Sequence, residues 1–397
     1  MGGPLQGLRV IDLTTVISGP VCTMILADQG ADVIKIEPPG GDIARRTAGD
    51  GAFSPMFVSS NRGKRSIALD LKQSAALDAV RRLIATADVL VQNFRPGLMD
   101  RFGLSEPAMR ALNPGLIYVS ISGVGDTGPY VKKRVYDPVI QSLSGLADIQ
   151  TDTATGRPKM VRTIVADKTT AVYAAQAICA ALVARGRTGQ GQHIRLSMLD
   201  TMVAFLWPEA MTQYTVVGQE DAPQPVPRPD LIFATLDGYI TVGALSDSEW
   251  LGLCGVLARP DWIDDPRFRT PAARSHNAAE RLTLTGEILA GGYTQDWLDR
   301  LDAADVPCAP VLARSEVIGN IQVVNNELIE TMEQPGLGTV RQPRPAARFG
   351  LTPARIGGPA PGIGEHTVAI LTEAGYSPGE IEALMAPRPR EAMHGAA

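Results

Sequence analysis

The chain is short of histidine and cysteine and has no excess of basic charge, and each shortage narrows the functions open to it. It carries four histidines and four cysteines in 397 residues. The histidines fall at no metal-ligand spacing and no C-x-x-C pair exists, so neither a zinc site nor a dithiol redox centre is expected. Cys22, Cys179, Cys254 and Cys308 stand far apart. We read them as reduced thiols of a cytosolic protein, with Cys22 and Cys179 in the core. The formal net charge is −5, which argues against a nucleic-acid protein with its basic stripe. A local basic pocket for an anionic ligand stays open. No apolar run is long and clean enough for a membrane span. The best candidate, after Thr169, is broken by Tyr173 and Gln176 and closed by Arg185 and Arg187. No secretory leader is read ahead of "LQGLRVIDL".

What is present is a substantial apolar fraction, 45%, arranged as alternating strands and helices. "LRVIDLT", "DVIKIE", "RSIALDL", "DVLVQNF" and "LIYVSIS" read as short, nearly all-apolar strands, and "PVCTMILADQGA" and "SAALDAVRRLIATA" as helices between them. All-apolar strands suit a sheet covered on both faces, and the alternation predicts an α/β, Rossmann-like domain with a mostly parallel sheet. A helix is expected from Asp167 to about Ala184, then the strand "QHIRLSM", then a helix ending at Pro208. We place the first part of the large domain at 1–205 and a proline-rich linker at 206–230. A smaller α/β domain follows at 231–325, with the strand "GYITVGAL" and then a helix with Ser246 and Glu249 as a capping box. Residues 326–397 form a linker and the return to the large domain, with a last helix capped at "SPGE".

Three features bear on chemistry. "GVGDTG" places Gly123, Gly125 and Gly128 after a strand, matching the dinucleotide signature, but Pro129 and "YVKKRVYD" give no following apolar helix. A sharply turning active-site loop is the better reading. Basic residues cluster on four loops that mostly follow strands: Arg45 and Arg46; Arg62, Lys64 and Arg65; Arg95 and Arg101; Lys132, Lys133 and Arg134. In an open α/β sheet ligands bind there, so these loops point to an anionic ligand with several phosphates, against the alternative of solvated surface charge. Asp167 stands where an apolar helix begins. It is either a helix cap or, kept ionised by the helix dipole, a nucleophilic carboxylate.

The motifs "GLRVIDLTTVISGP", "GADVIKIEPPGGD", "NRGKRSIALDLK", "ADVLVQNFRPG", "LNPGLIYVSISGVGDTGPY", "RTGQGQHIRLSMLD", "VPCAPV" and "GIGEHTVAILTEAGYS" resemble, in order and spacing, the family III CoA-transferases, which include formyl-CoA transferase, carnitine CoA-transferase and alpha-methylacyl-CoA racemase. The resemblance implies a large and a small domain in an interlocked homodimer, a carboxylic acid acceptor and an acyl-CoA donor. It implies no tightly bound cofactor, CoA being substrate. It makes Asp167 the nucleophile, forming first an anhydride and then an enzyme–CoA thioester. It maps CoA contacts onto Asn93, Phe94, Lys72, Arg101, Arg134, Tyr136 and Asp137, and onto Val16, Ile17 and Ser18 in the loop at the reacting group. Formyl-CoA transferase has a glutamine where this chain has Ile17, an arginine at Pro38, and a glycine-rich loop that "GYITVGALSDSEW" lacks, which favours a larger or less polar acyl group. The racemase branch carries a histidine where this chain has Tyr136, so a transferase is expected ahead of a racemase or a non-catalytic CoA-binding protein.

Overall fold

The structure, a computed structural model, describes residues 2–47, 53–152, 154–218 and 230–385. It separates into two compact units, Met1–Thr215 with Glu327–Ala397, and Val216–Asn326. Residues 219–229 of the expected linker lie outside the described residues.

The first unit is built on strands β1 (Arg9–Leu13), β2 (Asp32–Glu37), β3 (Arg65–Ala68), β4 (Val89–Gln92), β5 (Ile117–Ser122) and β6 (His193–Ser197). They pair in the order β3-β2-β1-β4-β5-β6, every pair parallel. This is the doubly wound order, with its direction of travel reversing between β1 and β4. Alternate residues feed two cores. Ile11, Leu13, Ile34, Ile36 and Leu90 face one side; Val10, Val33, Val89, Val91 and Ile117 face the other. Both faces are therefore apolar, as all-apolar strands require.

Helix α1 (Ser18–Asp28) follows β1, α2 (Ser74–Ala85) lies between β3 and β4, α3 (Asp137–Leu143) follows β5, and α4 (Val165–Thr188) leads to β6. The buried face of α4 is mostly alanine: Ala166, Ala171, Ala174, Ala175 and Ala181. Small side chains let it approach α1, whose Cys22, Leu26 and Ala27 share its core cluster. Helix α4 runs a turn beyond the expected Ala184 and stops at Gly189, which is left-handed at φ 69°. The Met198–Ala210 helix passes through Pro208 rather than ending there. The chain's return stitches onto this unit: Arg45 donates to the Pro361 carbonyl at 3.0 Å, and Gln334 exchanges hydrogen bonds with Ala360.

The second unit holds a three-stranded antiparallel sheet, Ile232–Ala234, Tyr239–Val242 and Cys308–Pro310. Its helices pack on a cluster with Trp250, Trp262 and Phe268 at the centre. The expected capping box is formed: Ser246 Oγ accepts from the Glu249 amide at 3.2 Å, and Glu249 Oε2 accepts from the Ser246 amide at 2.9 Å. All four cysteines are free thiols, with Cys22 buried and Cys179 half-buried. No described helix is long and apolar enough to cross a membrane, and no group of three His, Cys, Asp or Glu among the described residues is arranged to hold a metal.

Candidate active site

The site forms where the sheet order reverses, beyond the carboxyl ends of β1 and β4. The loop 14–17 leaves β1 and meets Asn93 at the end of β4. Asn93 Oδ1 accepts from the Thr15 amide and its Nδ2 donates to the Thr15 carbonyl, both at 2.9 Å. The Val16 amide donates to Asp42 Oδ1 at 3.3 Å. Pinned at these points, Val16 takes φ 71°, a left-handed conformation that a β-branched residue adopts only under strain. The close turn also needs Gly19, where a Cβ would lie 2.3 Å from Thr14 Cβ.

Beneath this loop the sheet hides a chain of charges. Asp12 meets Lys64 at 2.9 Å, accepts from the Thr14 amide and hydroxyl, and accepts from Thr23 at 2.7 Å. Lys35 donates to the Thr14 carbonyl at 2.8 Å and to Asp42 at 2.9 Å. Asp12, Lys35, Asp42 and Lys64 are each no more than 3% exposed. Burial pushes Asp12 up, but Lys64, Lys35 and its hydrogen bonds outweigh that and hold it below the usual carboxylate range. Burial lowers Lys64 to about 8, with Asp12 resisting. The network fixes the loop's carbonyls and amides from below.

Of the four basic loops, several of which were expected to converge on a ligand, two spend their cations elsewhere. Arg45 is buried, ion-paired to Glu37 at 2.6 Å and laid over the Phe57 ring at 3.7 Å. Arg62 pairs with Asp28 at 2.6 Å and Arg65 with Asp32 at 2.7 Å. These cations are spent on the fold. Lys72, Arg95, Arg101, Lys132, Lys133 and Arg134 are exposed and lie on loops or short helices that follow β3, β4 and β5, at the carboxyl edge. The "GVGDTG" glycines lie in a turn after β5, where Gly125 donates to Ser122 Oγ at 3.1 Å, and no helix opens before Asp137. That arrangement is not a dinucleotide fingerprint.

Asp167 does not cap its helix. Helix α4 begins at Val165, and Ile164 at the cap position offers no side-chain acceptor. The acceptor comes from α3: Asp137 Oδ2 takes the amides of Ala166 at 2.7 Å and Asp167 at 3.2 Å. The Asp167 carboxylate is thus released from its own backbone and meets Ser18, the first residue of α1, through the Ser18 hydroxyl and amide. Two helix amino termini converge on it. Even so its pKa rises to about 6, because burial and the negative charge of Asp137 outweigh the Ser18 hydrogen bonds. The help expected from the helix end in keeping this carboxylate ionised is outweighed, and Asp137 occupies the amides that would have given it.

Asp137 itself, expected as a CoA contact, is 2% exposed. Its Oδ1 accepts from Gln141 Nε2 at 2.5 Å. Both its oxygens serve the chain, so its geometry fits helix capping rather than ligand contact. Tyr136, next to it, is 73% exposed and open to a ligand. Phe94 is half-buried, edge-on to Phe102 at 6.3 Å, with Asn93 beside it. The structure therefore ties Asn93 to the loop that carries Val16, Ile17 and Ser18, through the Thr15 backbone, and ties Asp137 to the start of α4, the two groups meeting where Ser18 lies beside Asp167 in one cluster. Lys72, Arg101 and Arg134 share the sheet edge without a hydrogen bond or ion pair to that cluster among the described residues. Thr15, Asp42 and Gln141 were not singled out from sequence. For Gln141 a signal existed, its i+4 spacing from Asp137 on a short helix.

A doubly wound domain with a protonatable carboxylate at its topological switch point, and exposed cations on loops along the same sheet edge, fits an enzyme acting on an anionic substrate. The family profile described as "CoA-transferase family III" matches residues 5–367, and the chain belongs to that family, whose enzymes move CoA between an acyl-CoA and a carboxylic acid. It is similar to the succinyl-CoA:glutarate CoA-transferase of Homo sapiens, 35% identical over 93% of this chain and 86% of that one. It is similar to the succinyl-CoA:mesaconate CoA-transferase of Haloarcula hispanica, 37% identical over 95% and 98%. Among solved structures, a CaiB/BaiF family protein from Brucella suis superposes with a TM-score of 0.82 at 32% identity, over 94% of this chain and all of that one.

Proposed function

We propose that Asp167 is the covalent nucleophile of this CoA-transferase. One observation carries the reading: Asp137 supplies the helix cap, which leaves the Asp167 carboxylate facing Ser18 at the meeting of two helix amino termini. Asp167 attacks the thioester carbonyl, the C–S bond breaks, and CoA thiolate leaves behind a mixed anhydride. The thiolate then attacks the aspartyl carbonyl and expels the donor acid, giving an aspartyl-CoA thioester. The acceptor carboxylate attacks that thioester and displaces thiolate. The thiolate finally attacks the acceptor's acyl carbon, forming new acyl-CoA and freeing Asp167. The Ile17 amide and the amides of the first turn of α1 beyond Ser18 are the donors for the developing oxyanions.

CoA lies along the carboxyl edge of the sheet, with Asn93 and Phe94 at the switch point, Lys72, Arg101 and Arg134 on its phosphates, and Tyr136 beside the pantetheine arm. Succinyl-CoA is the donor and a dicarboxylic acid the acceptor, by similarity to the named relatives. A racemase reading is disfavoured because no described histidine bonds to the Asp167 cluster; His193, for example, is held by Ser120 at 2.9 Å. We also read the protein as a cytoplasmic, interlocked homodimer. Exposed apolar side chains on both units, such as Phe205 at 50% and Leu245 at 92%, are surface of the kind a second copy covers. Incubation with succinyl-CoA and a panel of mono- and dicarboxylic acids should give exchange with dicarboxylates and none in Asp167→Ala. Exchange surviving in that variant would end the reading. Light scattering on a sizing column should report twice the chain mass.

A further inference from the structure

We propose that Gln141 is the positioning residue of this site, holding Asp137 and the entry to α4 so that Asp167 stays free and correctly placed. The inference rests on the reading of Asp167 as nucleophile. Gln141 has four hydrogen-bond contacts, three of them sharing the two hydrogens of Nε2. Its Nε2 donates to Asp137 Oδ1 at 2.5 Å, and faces the carbonyls of Val161 at 3.3 Å and Thr163 at 3.2 Å. Its Oε1 accepts from the Val161 amide at 3.0 Å. Carbonyls and a carboxylate only accept, and an amide N–H only donates, so the partners fix which way this side chain points. At 2% exposure, it is a buried amide with its hydrogen-bonding capacity used.

The geometry gives Gln141 two tasks. It clamps the 161–163 segment, the bend that leads into α4, to α3. It also anchors one oxygen of Asp137, so that the other stays on the amides of Ala166 and Asp167. Without the clamp, Asp167's own amide loses its acceptor and the first turn of α4 is free to reorient. The groups acting on Asp167 are Asp137 from α3 and Ser18 from α1. On its own helix, Lys168 turns away to Thr163 Oγ1 at 2.7 Å. A glutamine is suited to this place because it bridges a carboxylate and backbone without adding charge. A glutamate would do so only when protonated.

Two variants test this, each followed by kcat, KM and a pH profile of CoA exchange. In Gln141→Leu, kcat should fall about 10- to 100-fold, the scale of a misplaced reacting group, while KM for acyl-CoA holds within about threefold. With the first turn of α4 no longer held against α3, Asp167 moves away from the negative charge of Asp137 and that repulsion weakens. The acidic limb of the profile should therefore move to lower pH, which general loosening of the fold would not produce. In Gln141→Glu, the protonated acid replaces the amide donor at low pH and the ionised form repels Asp137. Its rate relative to wild type should be near parity at about pH 5.5 and fall at least about tenfold by pH 8. This variant carries the test even if the leucine variant folds poorly. Wild-type kcat and an unmoved acidic limb in Gln141→Leu, or a pH-independent rate ratio in Gln141→Glu, would overturn the assignment. Failure of the underlying reading has a different signature, exchange persisting in Asp167→Ala.

Discussion

Replacing Asp167 with asparagine should make the protein more stable at neutral pH while ending its chemistry. A carboxyl raised from 3.8 to about 6 is one whose charged form the fold disfavours. The difference corresponds to about 3 kcal/mol between the ionised and neutral forms. Part of that returns on substitution, since asparagine keeps an acceptor for Ser18 and removes the repulsion from Asp137. We expect a gain of about 2 kcal/mol at pH 7.5. The sign follows from proton binding. The folded state holds a proton on Asp167 more tightly than the unfolded chain does, so wild-type stability declines as pH rises towards 6 and stays lowered above it. Below pH 4 both states are protonated and the advantage of asparagine should vanish. Urea unfolding of both proteins at matched concentration, from pH 4 to 8, reads this directly. A variant no more stable than wild type at pH 7.5, or a gap that ignores pH, would refute the reasoning.

Other outcomes follow from the same contacts. Ser18→Ala removes a hydroxyl that favours the charged form of Asp167, so the acidic limb of the exchange profile should move to higher pH. Asn93→Ala frees both backbone groups of Thr15 and should lower kcat about tenfold by loosening the Val16–Ser18 loop. Val16→Gly relieves the left-handed strain at φ 71°. With about 1–2 kcal/mol recovered against about 0.5–1 lost to glycine's freedom in the unfolded chain, denaturation should show a small net gain. Lys64→Met strips Asp12 of its ion pair at 2.9 Å in a fully buried position and should cost about 3–5 kcal/mol of unfolding free energy.

Much of the fold was legible because the strands advertise themselves. "DVIKIE" was read as a strand over the same residues the structure gives, Asp32–Glu37, and the boxes at Ser246 and Ser377 form where their residues predicted. The candidate site was legible as a set of motifs but not as an electrostatic arrangement. Sequence shows Arg45 after one strand and Arg62 and Lys64 ahead of another; it does not show that Glu37, Asp28 and Asp12 wait beneath them. Lys35 and Asp12 interrupt apolar strands, and only pairing in the sheet reveals that they support the Thr14 carbonyl and amide from below. The cap of α4 is non-local, separated from its helix by almost thirty residues. Local capping rules therefore assigned Asp167 a task that Asp137 performs. The strain at Val16 is a property of its tethers, which no residue pattern records.

The central claim, that Asp167 carries the transferred group, is tested most directly by trapping. Enzyme incubated with succinyl-CoA and hydroxylamine, then digested and examined by mass spectrometry, should carry a hydroxamate on the peptide containing Asp167, and Asp167→Asn should carry none. Rapid CoA exchange with no adduct on that peptide, or an adduct that persists in the asparagine variant, would contradict it.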